Sequence, residues 1–298
     1  MTTFAALKIE MQKGIKYMFI SSLAFGVMNL IVKSLNRFPT SELILFRSVI
    51  SLIISFYFIK KLNLKPFGNN KKWLIIRGTF GVIALSLFFF TLHNLPLATA
   101  ITIQYMSPIF TAIIAIFLLN EKMGPFRWVF FGISFAGIAM VKGFSSNISW
   151  IYLIAGILSA LFSGFAYNAI RKLRDSDHPV VIVFYFPLIA TPVTLVWSYF
   201  EWVNPIGWEW GLLILIGIFT QIAQIYMTKA LAQAEANVVS IMKYIGIVYA
   251  LGFDYLIFGT TYTLTVIIGI VFVISGVLLN LFYKKIPLPS FSGLKLRK

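Results

Sequence analysis

Polar and ionisable side chains inside long apolar runs are where this sequence could do chemistry. Such groups are costly in hydrocarbon, so they face protein or a water-filled cavity. Gln104, Ser107 and Thr111 are spaced i, i+3 and i+7 and share one helical face. Ser240 and Lys243 repeat the i, i+3 step with Tyr244 beside them, and Gln221, Gln224 and Thr228 form a third stripe. Ser22 shares a face with Asn29, while Ser159, Ser163 and Tyr167 share another with Asn168 adjacent. Groups of this kind either bind a polar solute or hold helices together through hydrogen bonds. Lys243 points to the first use, because a buried ammonium needs a counter-charge and a bound anion can supply it.

Arg47 lies deep in its apolar run and is expected to pair with Glu42 or with a carboxylate on a ligand. Arg77, nearer the start of its run, is expected to extend its stem to the membrane surface. Asp254 is expected to cap or pair locally. Pro108, which lacks an N–H, is expected to kink the run that holds it or to free a carbonyl. The rings of Phe88 to Phe90 either face lipid, fill the core or wall a pocket for a planar solute.

Other chemistries find no support. The chain has no cysteine, so neither a disulfide framework nor a thiolate site arises. His93 and His178 are far apart and make no metal site, and no glycine-rich run ends in Gly-Lys-Ser/Thr. The carboxylates Glu42, Glu121, Glu201, Glu209 and Asp254 are scattered, which does not suit an acid/base pair. An enzyme, a metal and a cofactor are therefore not expected.

The elements that position these groups follow from composition. Of 298 residues, 59% are apolar and 11% charged, a balance that fits lipid as the solvent. A span needs about 17 to 25 mostly apolar residues. Ten stretches qualify or come close: 14–32, 41–59, 73–92, 98–119, 126–141, 149–170, 180–198, 210–228, 236–257 and 263–282. The expected fold is all-α and integral to the membrane.

The net charge of +16 does not indicate nucleic acid, because the basic residues fall in short clusters between apolar runs. With the N-terminus in the cytoplasm, the inner segments hold the lysines and arginines at 8–16, 60–72, 122–127, 171–174, 229 and 284–298. The outer segments hold only Lys33, Arg37 and Lys142, which places both termini inside. Residues 1–13 are expected to be a cytoplasmic or interfacial lead-in and not a cleaved signal.

The two halves of the chain align at an offset of 136 to 138 residues. GVMNLIVK at Gly26 meets GFAYNAIR at Gly164, Gly81 meets Gly217, LPLATA at Leu95 meets LAQAEA at Leu231, and GISF at Gly132 meets GIVF at Gly269. Five spans per half is an odd number, so the halves are expected to be inverted, with the solute site near the midplane between them. The expected units are a five-helix repeat at 1–143, an inverted repeat at 144–285 and a basic tail at 286–298.

LPLATAITIQYMSPIFTAIIAIFLLNEKM, followed by GISFAGIAMV, resembles the EamA branch of the drug/metabolite transporter superfamily. The likeness rests on Ala98 and Ala100 opening the helix, Pro108 within it, Glu121 ending it, and Arg47 in the second span. It implies alternating access around a central cavity, with solutes such as amino acids, nucleobases, vitamins and S-adenosylmethionine. IQYMSPIF is similar to the carriers of S-adenosylmethionine and organic anions.

The expectation is a secondary carrier of a small polar organic metabolite, carrying a carboxylate or, alternatively, being S-adenosylmethionine. Its contacts are expected at Lys243, Tyr244, Gln104, Ser107 and Arg47, then at Tyr105, Gln221, Gln224, Asn29 and Tyr167. The expected surroundings are the lipid bilayer of the inner membrane, with the protein a monomer or weak homodimer.

Overall fold

A polypeptide crossing hydrocarbon must satisfy its own backbone, which leaves the helix as the economical form for these apolar runs. The structure, a computed structural model, describes residues 2–119, 126–142, 149–173, 176–233 and 245–282, and every structural statement below concerns these. Eleven helices are present among them: α1 Thr2–Ser34, α2 Thr40–Lys61, α3 Lys71–Asn94, α4 Leu97–Gln104, α5 Ser107–Leu119 and α6 Phe126–Lys142, then α7 Trp150–Leu173, α8 Pro179–Tyr199, α9 Glu209–Gln233, α10 Ile245–Leu256 and α11 Leu264–Phe282. No strand occurs among the described residues.

Seven segments are long and apolar enough to cross a membrane, α4 and α5 together making one of them. Three shorter apolar stretches, Trp128–Val141, Ile245–Leu256 and Leu264–Leu279, bring the helices to ten. Phe117, Val196, Val248 and Leu264 all point outward, exposing to the surroundings a surface that suits lipid.

The fourth span is broken where proline predicts it. Tyr105 donates its N–H to the carbonyl of Ile101 at 3.0 Å, Met106 tightens to Ile103 at 3.0 Å, and a new helix starts at Ser107. Pro108 thereby stands in the first turn of α5, where a missing N–H costs nothing. The turn between α3 and α4 is held by charge at both helix ends. Lys33 donates to the carbonyls of Leu92, His93 and Leu95 at 2.9, 3.1 and 2.7 Å. Asp254 accepts from the N–H groups of Leu97 and Ala98 at 3.1 and 2.7 Å. A cation at one helix's C-terminus and an anion at the next one's N-terminus both oppose the local helix dipole.

The principal packing pairs are α1 with α9 and α7 with α3, α2 with α9 and α8 with α3, α1 with α10 and α7 with α5, and the pairs α2 with α8, α4 with α10 and α6 with α11. This set is unchanged when each span of the first half is exchanged for the span five places later. Two hydrogen bonds obey the same exchange: Ser21 Oγ donates to Ala223 O at 2.8 Å, and Ser159 Oγ to Ala84 O at 2.7 Å.

Helices α6 and α11 run antiparallel with their backbones in contact, Gly137 facing Gly269 and Ser134 facing Gly276. A methyl group added at Gly269 would sit 2.7 Å from the carbonyl oxygen of Gly137, nearer than side-chain carbons approach. Small residues are what permit such an approach in a membrane. Gly269→Leu should therefore lower the midpoint of thermal unfolding by the equivalent of about 1–3 kcal/mol. Gly252→Ala, in a place with nothing within 4 Å, should leave it unchanged. An unfolding scan of the two variants against the parent protein decides it.

Candidate functional site

A cavity of about 180 Å³ lies inside the bundle. Its walls follow α1 from Met18 to Asn29 and α3 from Arg77 to Phe88, with α2, α4, α7, α8 and α9 completing the enclosure. Each of those two walls rises about 16 Å at 1.5 Å per residue, roughly half the thickness of a hydrocarbon core of about 30 Å.

Two arginines line it. Arg47 is 4% exposed and donates from Nε to Thr220 Oγ1 on α9 at 2.9 Å. Its guanidinium carbon lies 5.7 Å from the ring centre of Phe89 and 5.3 Å from that of Phe186. Arg77 is 7% exposed and stands 5.7 Å from the same Phe186 ring. Each is within reach of a cation–π attraction. Nη1 of Arg47 and Nε of Arg77 are buried with no hydrogen-bond partner. No carboxylate lines the cavity among the described residues.

The surface position expected for Arg77 is thus corrected. Gly81, one turn further along α3, has no side chain to fill the place that the Arg77 guanidinium takes; a Cβ there would press on Nη1 and lie 2.9 Å from the Phe186 ring. That room and the aromatic face turn the side chain inward. Glu42 is not the partner of Arg47 either: its Oε2 accepts from the N–H of Val203 at 3.1 Å. Arg37, on the loop before α2, pairs instead with Glu209 at the start of α9.

A hydrogen-bonding wall comes from the break in the fourth span. Gln104, the last residue of α4, donates from Nε2 to Ser163 Oγ at 2.8 Å, and its Oε1 lies 2.7 Å from Ser159 Oγ, whose one proton is shared with the carbonyl of Ala84. Both Gln104 and Ser163 line the cavity, as does Tyr105 in the break, whose hydroxyl packs closely against Gly246. The clamp by Lys33 and Asp254 fixes the α3–α4 corner and with it the depth of Gln104. Asn29, Tyr167 and Gln224 also reach the cavity.

Other expected site residues stand elsewhere. Gln221 joins α9 to α2, accepting from Ser51 Oγ at 2.5 Å and donating to Ser55 Oγ at 3.2 Å. Ser107 is buried outside the lining, its carbonyl accepting from Thr111 Oγ1 at 2.7 Å. Lys243 and Tyr244 lie outside the described residues.

The aromatic run also divides: Phe88 lines the cavity, Phe89 is buried under Arg47, and Phe90 is the most exposed of the three. The apolar wall formed by Met18, Met28, Met227 and Phe25 was not foreseen. An apolar residue in an apolar helix carries no mark of which face it takes. Arg77 did carry a signal, since an arginine inside a span needs a partner.

The profile of the EamA-like transporter family matches residues 12–143 and again residues 150–282. The pseudopaline exporter of Pseudomonas aeruginosa is 30% identical over 274 residues, covering 91% of this chain and 96% of its own. Human solute carrier family 35 member G1 is 28% identical, covering 84% and 73%. The riboflavin transporter of Vibrio cholerae is 26% identical, covering 78% and 81%. A crystal structure of a protein only 16% identical has a TM-score of 0.67 and shares the fold over 93% of this chain and 99% of that one.

Gln221 and Gln224 are one turn apart and should separate structural from binding roles. Gln221→Ala leaves Ser51 and Ser55 without their shared partner and should cost about 1–3 kcal/mol of stability, while the affinity of a cavity ligand stays within about twofold. Gln224→Ala should weaken that ligand instead. Ligand titration and thermal unfolding of both variants test the assignment.

Proposed function

Because this chain belongs to the EamA-like transporter family, and is thus a membrane-embedded transporter of small molecules and not an enzyme, we propose that it is a secondary carrier of a small polar organic metabolite bearing a carboxylate. The observation that carries this reading is the pair of buried guanidiniums on the cavity, with no carboxylate among the described lining residues. A buried charge is costly unless paired. A carboxylate on the solute accepts two parallel N–H bonds from a guanidinium, a geometry that gives specificity as well as attraction.

In this reading Arg47 and Arg77 hold the acid group. Asn29, Gln104, Tyr105, Tyr167 and Gln224 engage the rest, and Lys243 and Tyr244 join them from the span that aligns with the fourth. Residues 1–143 and 144–285 act as inverted five-helix repeats that rock about the cavity. The self-exchanging packing pairs and the double match of one family profile support this arrangement. Both termini face the cytoplasm of a cell whose inner membrane holds the protein, as the lysine and arginine asymmetry indicates. Rocking would separate Arg37 from Glu209, a contact between the halves at the end opposite the basic clusters.

S-adenosylmethionine fits less well, because its sulfonium would add a positive charge beside two guanidiniums. In sealed vesicles, uptake or efflux of a labelled carboxylate-bearing metabolite should fall at least tenfold with Arg47→Gln or Arg77→Gln. Lys243→Ala and Gln104→Ala should also reduce it. Unchanged flux in the two arginine variants, or competition by S-adenosylmethionine but by no carboxylate, would overturn the reading.

A further inference from the structure

A carrier of monocarboxylates needs one cation in its site, and the described lining of this cavity has two. We propose that the solute is a dianion, a small organic diacid that places one acid group against each of Arg47 and Arg77. The inference rests on the reading of the cavity as the solute site.

Three observations carry it. The first is charge: a single carboxylate would neutralise one guanidinium and leave the other buried and uncompensated, the costlier state. The described lining offers it only neutral partners, chiefly Asn29, Gln104 and Gln224. The second is geometry. Both guanidiniums lie against the one ring of Phe186, at 5.3 and 5.7 Å from its centre, so the two positive groups stand together on the α2, α3 and α8 side. Each retains a donor without a partner, Nη1 on Arg47 and Nε on Arg77. Gly81 keeps the second guanidinium in this place, since any side chain there would collide with it.

The third is the apolar part of the lining. Met18, Met227 and Phe25 form one apolar cluster, and Met28 extends the lining along α1. The cavity therefore joins a cationic corner to an apolar surface interrupted by Ser21, Ser22, Asn29 and Gln224, which suits a short carbon skeleton with two acid groups. Its 180 Å³ somewhat exceeds the roughly 150 Å³ of a cavity that takes benzene, so a small organic acid fits.

The test uses the purified full chain in lipid nanodiscs. Straight-chain dicarboxylates are compared with their own monoamides, which keep length and polarity but lose one charge, and with a phosphomonoester of similar size. Binding is read from the shift of the thermal unfolding midpoint with concentration. The dicarboxylate should bind at least tenfold more tightly than its monoamide. Arg47→Gln and Arg77→Gln should each erase that difference, whereas Arg47→Lys and Arg77→Lys should retain most of it.

Tighter binding of the phosphomonoester than of any dicarboxylate would overturn the diacid, because both charges would then sit on one group. Equal binding of dicarboxylate and monoamide by the parent protein would overturn the dianion while leaving the carboxylate carrier standing. If neither binds, and no monocarboxylate does, the proposed function falls with it. Should the glutamine variants fail to fold, the comparison on the parent protein still decides.

Discussion

Taking a guanidinium out of water costs several kcal/mol even after the protein relaxes around it, and this fold does so twice around the single aromatic ring of Phe186. Much of the interior follows from keeping those two like charges in place. Thr220 on α9 orients Arg47 across the boundary between the halves. Gly81 leaves the volume that the Arg77 guanidinium occupies, and Phe89 and Phe186 offer ring faces where a carboxylate would have cancelled the charge. A site built for stability alone would have paired each arginine with an acid. The acids at the end of the bundle opposite the basic clusters are instead engaged elsewhere, Glu42 with the backbone of Val203, Glu209 with Arg37, and Asp254 with the start of α4.

The same logic of satisfied polar groups explains how the rest of the cavity is positioned. Asp254 and Lys33 each reach across the bundle to a helix end, so the corner between α3 and α4 is fixed by partners outside those two helices. From that corner α4 runs only to Gln104 before Pro108 ends it, and the break brings Gln104 and Tyr105 to the cavity wall. Ser159 then ties Gln104 to α3 through the carbonyl of Ala84. A polar side chain at a helix break is thus both a structural tie and a surface offered to a solute.

The polar stripes of the sequence divided in the same way. Gln104, Asn29, Tyr167 and Gln224 reach the cavity, and Gln221 and Ser107 do not, although all of them looked alike as polar residues at helical spacing. Gln221 and Gln224 differ by one turn along α9, and Ser51 and Ser55 of α2 happen to meet the first of them. Periodicity says which residues share a face, but not which neighbour that face meets, because the neighbour comes from a helix distant in sequence. Arg77 shows the converse: its stem was long enough to reach the membrane surface, and only the packing of α8 against α3 gave it an aromatic ring to turn toward.

What the sequence determined by itself was the apolar runs, their number, the break at Pro108 and the family likeness. Each of these is a property of residues near one another along the chain, imposed by a solvent that forbids unpaired backbone. Tertiary structure alone decided which polar faces converge on one cavity, and that Arg47 and Arg77 both stand there around Phe186. Those relations join α2, α3, α8 and α9 across more than a hundred residues of chain, and no local pattern encodes them.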